Sequence, residues 1–86
     1  MPIRSPAHAA FGESVRGIRK QRGVSQESLA LMCGLDRTYI SGIERGTRNP
    51  SLTNILKIAA ALGVSPAEIF ASAQERTGSE SNGARA

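Results

Sequence analysis

Apolar residues recur along this chain every three or four positions, which is the spacing of one face of an α-helix. Phe11, Val15 and Ile18 show this spacing first, and four further stretches repeat it. No segment alternates apolar and polar residues over four or more positions, so the pattern predicts no β-strand. We expect an all-α fold with five short helices, over residues 8–22, 26–33, 37–45, 52–62 and 66–73.

Glycines and capping residues mark the ends of the same stretches. Four stretches end at a glycine, the residue that most readily adopts the positive φ of a helix terminus: Gly23, Gly34, Gly46 and Gly63. A residue with a capping side chain follows shortly after each one: Ser25, Asp36, Ser51 and Ser65. We therefore expect an N-terminal extension over 1–7, one helical domain over 8–73 and a flexible tail over 74–86, where no apolar side chain is larger than alanine.

The charge of the chain is concentrated in its middle. The sequence carries 11 Lys or Arg against 7 Asp or Glu, and residues 16–57 hold eight of these basic residues but only three of the acidic ones. A basic surface within a folded domain suits a polyanionic partner. A solvated face chosen for solubility fits the charge alone equally well.

Composition also argues against several classes of protein. One cysteine and one histidine provide neither an internal disulfide nor a zinc-ligand set, and no nucleophile–base pair or glycine-rich phosphate loop is present. We therefore expect no enzyme activity, no cofactor and no metal. The longest apolar run is five residues, at 58–62, and the first residues show no secretory signal. The expected location is cytoplasmic, without membrane association.

The second and third predicted helices form the most informative part of the sequence. Only Gly34-Leu35-Asp36 separates them, and a three-residue turn with glycine between two short helices is typical of the helix-turn-helix. Small or apolar residues fall where the two helices would pack: Leu29, Ala30, Cys33, Leu35, Ile40 and Ile43. The whole set at this spacing predicts a helix-turn-helix unit.

The third helix has an outer side suited to DNA if its two isoleucines are buried. Arg37, Thr38 and Ser41 lie on that side and provide donors and hydroxyls for base edges in a major groove. Gly42 would leave room for a DNA backbone to approach. Phosphate contacts are expected around this surface and at the free N–H groups that begin helix two. The candidates are Ser25, Gln26, Tyr39, Arg45, Arg48 and Asn49.

Four motifs together carry a resemblance to a known family. They are VSQESLA at 24–30, GLDRTYISGIERG at 34–46, RNPSL at 48–52 and AAALGVS at 59–65. Over residues 11–71 the chain resembles the Xre/Cro–CI helix-turn-helix family, and within it the controller proteins of restriction–modification systems. The resemblance implies a compact five-helix, lambda-repressor-like DNA-binding domain. It also implies a nucleoid-associated, autoregulatory transcriptional regulator that binds an operator, with RNA polymerase as a further candidate partner.

The resemblance also implies roles for particular residues. The positions of the recognition helix are Arg37, Thr38, Tyr39 and Ser41. Gln26 falls at a phosphate-contacting position, and Gly42 departs from the larger polar residue often found in the family. Family members often pair a charged residue of helix one with one of helix three, here Arg19 and Glu44. We expect these two residues to form a structural ion pair, since a half-buried charge needs a partner.

A single domain of this size offers few DNA contacts, so we expect a homodimer with recognition helices one DNA turn, about 34 Å, apart. The predicted inward stripe of helix four consists of Leu52, Ile55, Leu56, Ala59 and Leu62. The apolar residues left over on helices four and five are the candidate dimer interface: Ile58, Ala61, Ala67 and Phe70.

The alternative function is a protein-interaction or antitoxin-type subunit built on the same fold. Such a subunit would not need base-reading donors such as Arg37 and Thr38. RNA binding is a third and weaker hypothesis. RNA bases are often bound by stacking on aromatic side chains, and apart from Tyr39 the sequence offers no aromatic surface for stacking. Added salt separates the first two, since it weakens DNA binding steeply and hardly changes apolar pairing between proteins.

Overall fold

Five α-helices and no strand make up the part of the chain that the computed structural model describes, which is the backbone of residues 5–85 and the side chains of residues 5–76. The helices are α1 (Pro6–Gln21), α2 (Gln26–Cys33), α3 (Arg37–Glu44), α4 (Leu52–Leu62) and α5 (Pro66–Arg85). The predicted all-α fold of five helices is confirmed. The bounds of α2 and α4 agree with the prediction at both ends.

Glycines and capping side chains end and begin the helices as the sequence predicts. Among the described residues, positive φ angles occur at the four predicted glycines, between +69° and +77°. At φ 70°, Gly34 ends α2 and turns the chain so that Leu35 N donates to Ala30 O at 2.9 Å. Ser65, a predicted capping residue, forms a capping box with Glu68, with hydrogen bonds of 2.9 and 3.1 Å between each backbone N–H and the other side chain.

All five helices contribute aliphatic side chains to one core. The largest of these are at most 1% exposed: Val15, Leu29, Ile40, Ile43, Ile58 and Ile69. Ser14 is buried among them and is satisfied because its Oγ donates to Ile69 O at 2.9 Å, which ties α1 to α5. Cys33 is also buried, and its burial raises the pKa of the thiol. The cysteine therefore behaves as a small apolar core residue.

The backbones of α1 and α3 come into direct contact at Gly12. A Cβ on Gly12 would lie 2.2 Å from the carbonyl oxygen of Ile43 and 2.6 Å from that of Glu44, closer than real contacts allow. Because glycine has no Cβ, α1 can pack against the last turn of α3 at this distance. This contact fixes the position of α3 relative to α1.

The predicted inward face of α4 is wrong at Leu52, Leu56 and Ile58, whereas Ile55, Ala59 and Leu62 face the core as predicted. Ile58 is completely buried, whereas Leu52 is 69% and Leu56 is 49% exposed. The helix is apolar on most of its surface, so two stripes at helical spacing compete for the core. Packing selects the stripe that consists of Ile55, Ile58, Ala59 and Leu62.

The first helix begins two residues earlier than predicted. Ser5 caps it by accepting a hydrogen bond from His8 N at 3.2 Å, and Pro6 suits the first turn, where its missing N–H costs nothing. His8 therefore lies inside α1. Residues 1–4 of the predicted extension lie outside the described residues.

The last helix continues to Arg85 instead of ending at residue 73. Residues 73–76 are good helix formers, and the Arg76 guanidinium lies 3.7 Å from the Glu13 carboxylate of α1. The predicted flexibility of 74–86 stays a prediction, and the side chains of 77–86 lie outside the described residues. Within the described part of the chain, no single helix is long and apolar enough to cross a membrane, and α4 meets these criteria only together with Pro66–Arg76, across a 99° bend.

Candidate nucleic-acid interface

The third helix turns an apolar side inward and a polar side outward. Ile40 and Ile43 are at most 1% exposed, whereas Arg37 and Thr38 in its first turn are exposed. Asp36 caps the helix by accepting a hydrogen bond from Thr38 N at 2.9 Å. The first turn of α3 therefore presents a guanidinium and a hydroxyl to the surroundings on a well-defined backbone.

Ser41 and Arg45 continue the outer side toward the C-terminal end of α3. Ser41 is half-buried, Arg45 is exposed, and Arg45 Nη1 donates a hydrogen bond to Ser41 Oγ. Because this bond uses the serine oxygen as an acceptor, the hydroxyl proton is left to donate to another group. The structure thus brings a predicted base-reading residue together with a predicted phosphate-binding one.

A buried ion pair supports the inner side of the same helix. Arg19 donates from Nε to Glu44 Oε2 at 2.7 Å and from Nη2 to Oε1 at 3.0 Å, and the two side chains are 9% and 2% exposed. Arg19 Nη1 also donates to Val24 O at 2.9 Å. The hydrogen-bonded carboxylate of Glu44 raises the pKa of Arg19 above its usual range. The two residues expected to pair therefore join α1, the α1–α2 turn and α3.

The start of α2 is connected to this ion pair. Gln26 is half-buried, and its Nε2 donates to Glu44 Oε1 at 3.0 Å. An amide nitrogen carries two N–H groups, so the second can still donate to a phosphate. Ser25 caps the helix, because its Oγ accepts a hydrogen bond from Ser28 N at 3.0 Å. Both predicted phosphate-binding side chains thus also have a structural role.

Tyr39 and Gly42 of α3 form a cluster with Arg48 of the loop that follows the helix. The guanidinium carbon of Arg48 lies 6.0 Å from the centroid of the Tyr39 ring. Gly42 is buried, and Arg48 Cγ lies only 2.5 Å from the position that a Cβ on Gly42 would take. The expectation that Gly42 leaves room for a DNA backbone is therefore wrong, because the stem of Arg48 fills that space.

Two residues that the sequence did not single out contact predicted site residues. Asn54 Nδ2 donates to Tyr39 Oη at 3.1 Å, so the tyrosine hydroxyl can donate its own proton outward. His8 Nε2 lies 3.4 Å from Oδ1 of Asn49, which is exposed. The partners are 15 and 41 residues apart in sequence. Local spacing could not have revealed either contact.

Comparison with known proteins agrees with this geometry. The helix-turn-helix family HTH_3 matches residues 15–69, which is well over half of the chain and includes the whole of α2, α3 and α4. The chain belongs to the HTH_3 helix-turn-helix family. The Xre/Cro–CI type of family predicted from the sequence is confirmed.

Controller proteins are among the relatives of this HTH_3 domain. Control protein C.BamHI from Bacillus amyloliquefaciens is 60% identical over 61 residues, which is 70% of this chain and 75% of that protein. Control protein C.MunI from a Mycoplasma species is 49% identical over 61 residues, 70% of this chain and 82% of that protein. The crystal structure of the restriction–modification controller protein C.AhdI from Aeromonas hydrophila superposes with a TM-score of 0.71 at 53% identity, covering 72% of this chain and 94% of that one.

In this HTH_3 domain the candidate dimer residues fall in different environments. Ile58 is 0% exposed and belongs to the core, so its assignment to an interface is wrong. Ala61 is half-buried against the core, and Ala67 is exposed. Phe70 is 48% exposed, and its ring lies 5.3 Å from that of Phe11. The two candidates on α5 are therefore the most exposed of the four.

Proposed function

We propose that this protein is a controller-type transcriptional regulator that binds operator DNA as a homodimer and reads the bases with α3. The observation that carries the proposal is the orientation of α3. Its isoleucines face the core, while Arg37 and Thr38 face outward. Its one carboxylate, Glu44, is 5% exposed and neutralised by Arg19, so it does not repel a polyanion.

The dimensions of α3 suit a major groove. Its eight residues span about 12 Å, and the groove is about 12 Å wide. The planar guanidinium of Arg37 can donate two parallel hydrogen bonds to O6 and N7 of guanine. Thr38 and Ser41 can contact a base edge or a thymine methyl group. We assign these three residues to base reading.

Phosphate contacts are proposed on both flanks of the groove. Ser25 and Gln26 begin α2 on one flank, and Tyr39, Arg48 and Asn49 lie on the other. Arg45 extends the outer side of α3 between them. Contacts of this kind fix the orientation of the protein on DNA without reading its sequence.

Dimerisation is proposed through the outer surfaces of α4 and α5. Leu52 and Leu56 on α4 and Phe70 on α5 are large apolar side chains that are between 48% and 69% exposed. Covering them with a second copy would remove this apolar surface from water. The same pairing would double the number of base contacts, with the two copies of α3 one DNA turn apart.

The experiment that tests the proposal selects duplexes from a random-sequence library and then measures their affinity as a function of salt. We expect enrichment of two symmetry-related half-sites. The slope of log K against log salt should be about −4 or steeper, because Arg45 and Arg48 of two subunits each neutralise one phosphate. Arg48→Ala should make the slope shallower by about 2, while Arg76→Ala on α5 should leave it unchanged.

The protein-interaction alternative has one observation in its favour, which is that Leu31 on α2 is 81% exposed. No enrichment from the library, together with an affinity that barely responds to salt, would support that alternative and contradict DNA recognition. Autoregulation and contact with RNA polymerase stay predictions. A footprint on the DNA upstream of the protein's own gene tests the first, and transcription from that DNA with purified polymerase tests the second.

A further inference from the structure

Gly42 occupies the middle of α3 although glycine is a poor helix former. Its φ is not positive, so the backbone conformation at this position would suit any residue except proline. Glycine is needed here because a neighbouring side chain occupies the space that a Cβ would take. A Cβ at this position would lie 2.5 Å from Arg48 Cγ and 3.5 Å from Arg48 Cδ, and no backbone atom is among the three nearest neighbours.

The loop that follows α3 brings Arg48 onto this glycine. Thr47 folds back by donating two hydrogen bonds to Gly42 O, from its backbone N at 2.9 Å and from Oγ1 at 3.1 Å. The stem of Arg48 then runs across Gly42 toward Tyr39, which lies three residues earlier on the same side of the helix. The guanidinium ends 6.0 Å from the centre of the Tyr39 ring.

We infer that Gly42 is a positioning residue. Because it has no side chain, the stem of Arg48 packs directly on it, and this packing holds the guanidinium over Tyr39, where it can bind a DNA phosphate. A methyl group at position 42 displaces the stem and moves the guanidinium away from the Tyr39 ring, while the helix itself remains intact. The DNA step of this inference rests on the proposed function. The packing of the Arg48 stem on Gly42 is present in the free protein and does not depend on DNA.

The test uses a spectroscopic signal that needs no DNA. Tyr39 is the only tyrosine in a chain without tryptophan, so intrinsic tyrosine emission reports on its ring alone. The variants are Gly42→Ala, Arg48→Ala, the double variant, and Gly17→Ala as a matched control. Gly17 also lies within a helix, but a Cβ there would meet only the flexible end of Arg76, at 3.0 Å. Circular dichroism confirms that each variant keeps its helices.

We expect Gly42→Ala to change the Tyr39 emission in the same direction as Arg48→Ala and by at least half as much. On a selected duplex both single variants should bind roughly tenfold more weakly than the unmodified protein, since a charged hydrogen bond to phosphate is lost. The double variant should lose no more than Arg48→Ala alone. Gly17→Ala should match the unmodified protein in both measurements.

Emission from Gly42→Ala that matches Gly17→Ala would overturn the inference, because Arg48 would then have kept its place. Losses that multiply in the double variant would also overturn it, since the new methyl group would then be obstructing DNA directly. If the unmodified protein binds no duplex, the proposed function fails, and the emission of the free variants still decides whether Gly42 positions Arg48.

Discussion

Two ion pairs of this protein differ in burial, and they therefore differ in how much they contribute to the stability of the fold. Arg19 and Glu44 are both more than nine-tenths buried and make two hydrogen bonds to each other. Glu13 and Arg76 are separated by 3.7 Å at the surface, with side chains 63% and 39% exposed. Solvent screens the second pair, whereas loss of one partner in the first leaves a charge inside the protein without its counter-ion.

Glu44→Ala should lower the free energy of unfolding by about 3 kcal/mol, because the buried Arg19 would lose its counter-ion and keep only the hydrogen bond to Val24 O. The matched control, Glu13→Ala, should cost less than about 1 kcal/mol. Urea denaturation followed by circular dichroism measures both values. If Glu44→Ala and the unmodified protein unfold at the same urea concentration, the buried pair does not stabilise the fold.

Single residues could be predicted from the sequence where their cause is local. The four glycines with positive φ and the capping serines follow from the three or four residues around them. Pairing of Arg19 with Glu44 spans 25 positions, and only the family resemblance suggested it. The contacts of Asn54 and His8, and the covering of Gly42 by Arg48, depend on how loops fold back, which no local pattern encodes.

Among the helices, the close approach of α1 and α3 depends on Gly12. The two backbones meet there without a side chain between them, so the position of α3 is set by a residue on another helix. The proposed function requires the outer side of α3 to be presented in a fixed orientation. A change in the distance between α1 and α3 would alter that orientation.

Gly12→Ala should destabilise the fold by about 2 kcal/mol, because its Cβ would overlap the carbonyl oxygens of Ile43 and Glu44, and backbone atoms cannot move aside cheaply. Gly17→Ala, in the same helix, should leave the melting temperature unchanged or raise it, since alanine is the better helix former. Thermal denaturation compares them directly. A melting temperature for Gly12→Ala equal to that of Gly17→Ala would show that α1 and α3 are not in contact.

The extent of α4 was easier to predict than the direction in which it faces. Capping residues and glycines fixed the bounds of α2 and α4, and the paired isoleucines of α3 left one choice of inner side. On α4, apolar residues surround most of the helix, so its rotation depended on the shape of the core and not on its own pattern. Ile58, which was expected outside the core, is therefore buried, whereas Leu52 and Leu56, which were expected inside, are exposed.

For the whole molecule, that rotation changes which residues a second copy could cover. The candidate surface on α4 is formed by leucines that were expected in the core. Leu31 on α2 is equally apolar and even more exposed, at 81%, but it lies on the helix-turn-helix and not on α4 or α5. Substitutions of Leu56 on α4 and of Leu31 on α2 therefore test where the dimer forms.

Leu56→Glu should convert the dimer into a monomer, because a charge would be buried in the proposed interface without a partner. Leu31→Glu should leave the dimer intact. Sedimentation velocity at micromolar concentration measures both, and affinity for a two-half-site duplex should fall with the loss of the dimer. A dimer that survives Leu56→Glu would exclude this part of α4 from the interface.

If the outer side of α3 reads bases, Arg37→Ala should weaken binding to the operator much more than binding to other DNA. The affinity of this variant should be compared on a selected operator duplex and on a scrambled duplex at the same salt concentration. We expect about 10- to 100-fold weaker binding to the operator for each lost guanine contact, with binding to the scrambled duplex nearly unchanged. An equal loss on both duplexes would show that Arg37 contacts only the DNA backbone and would contradict base recognition by α3.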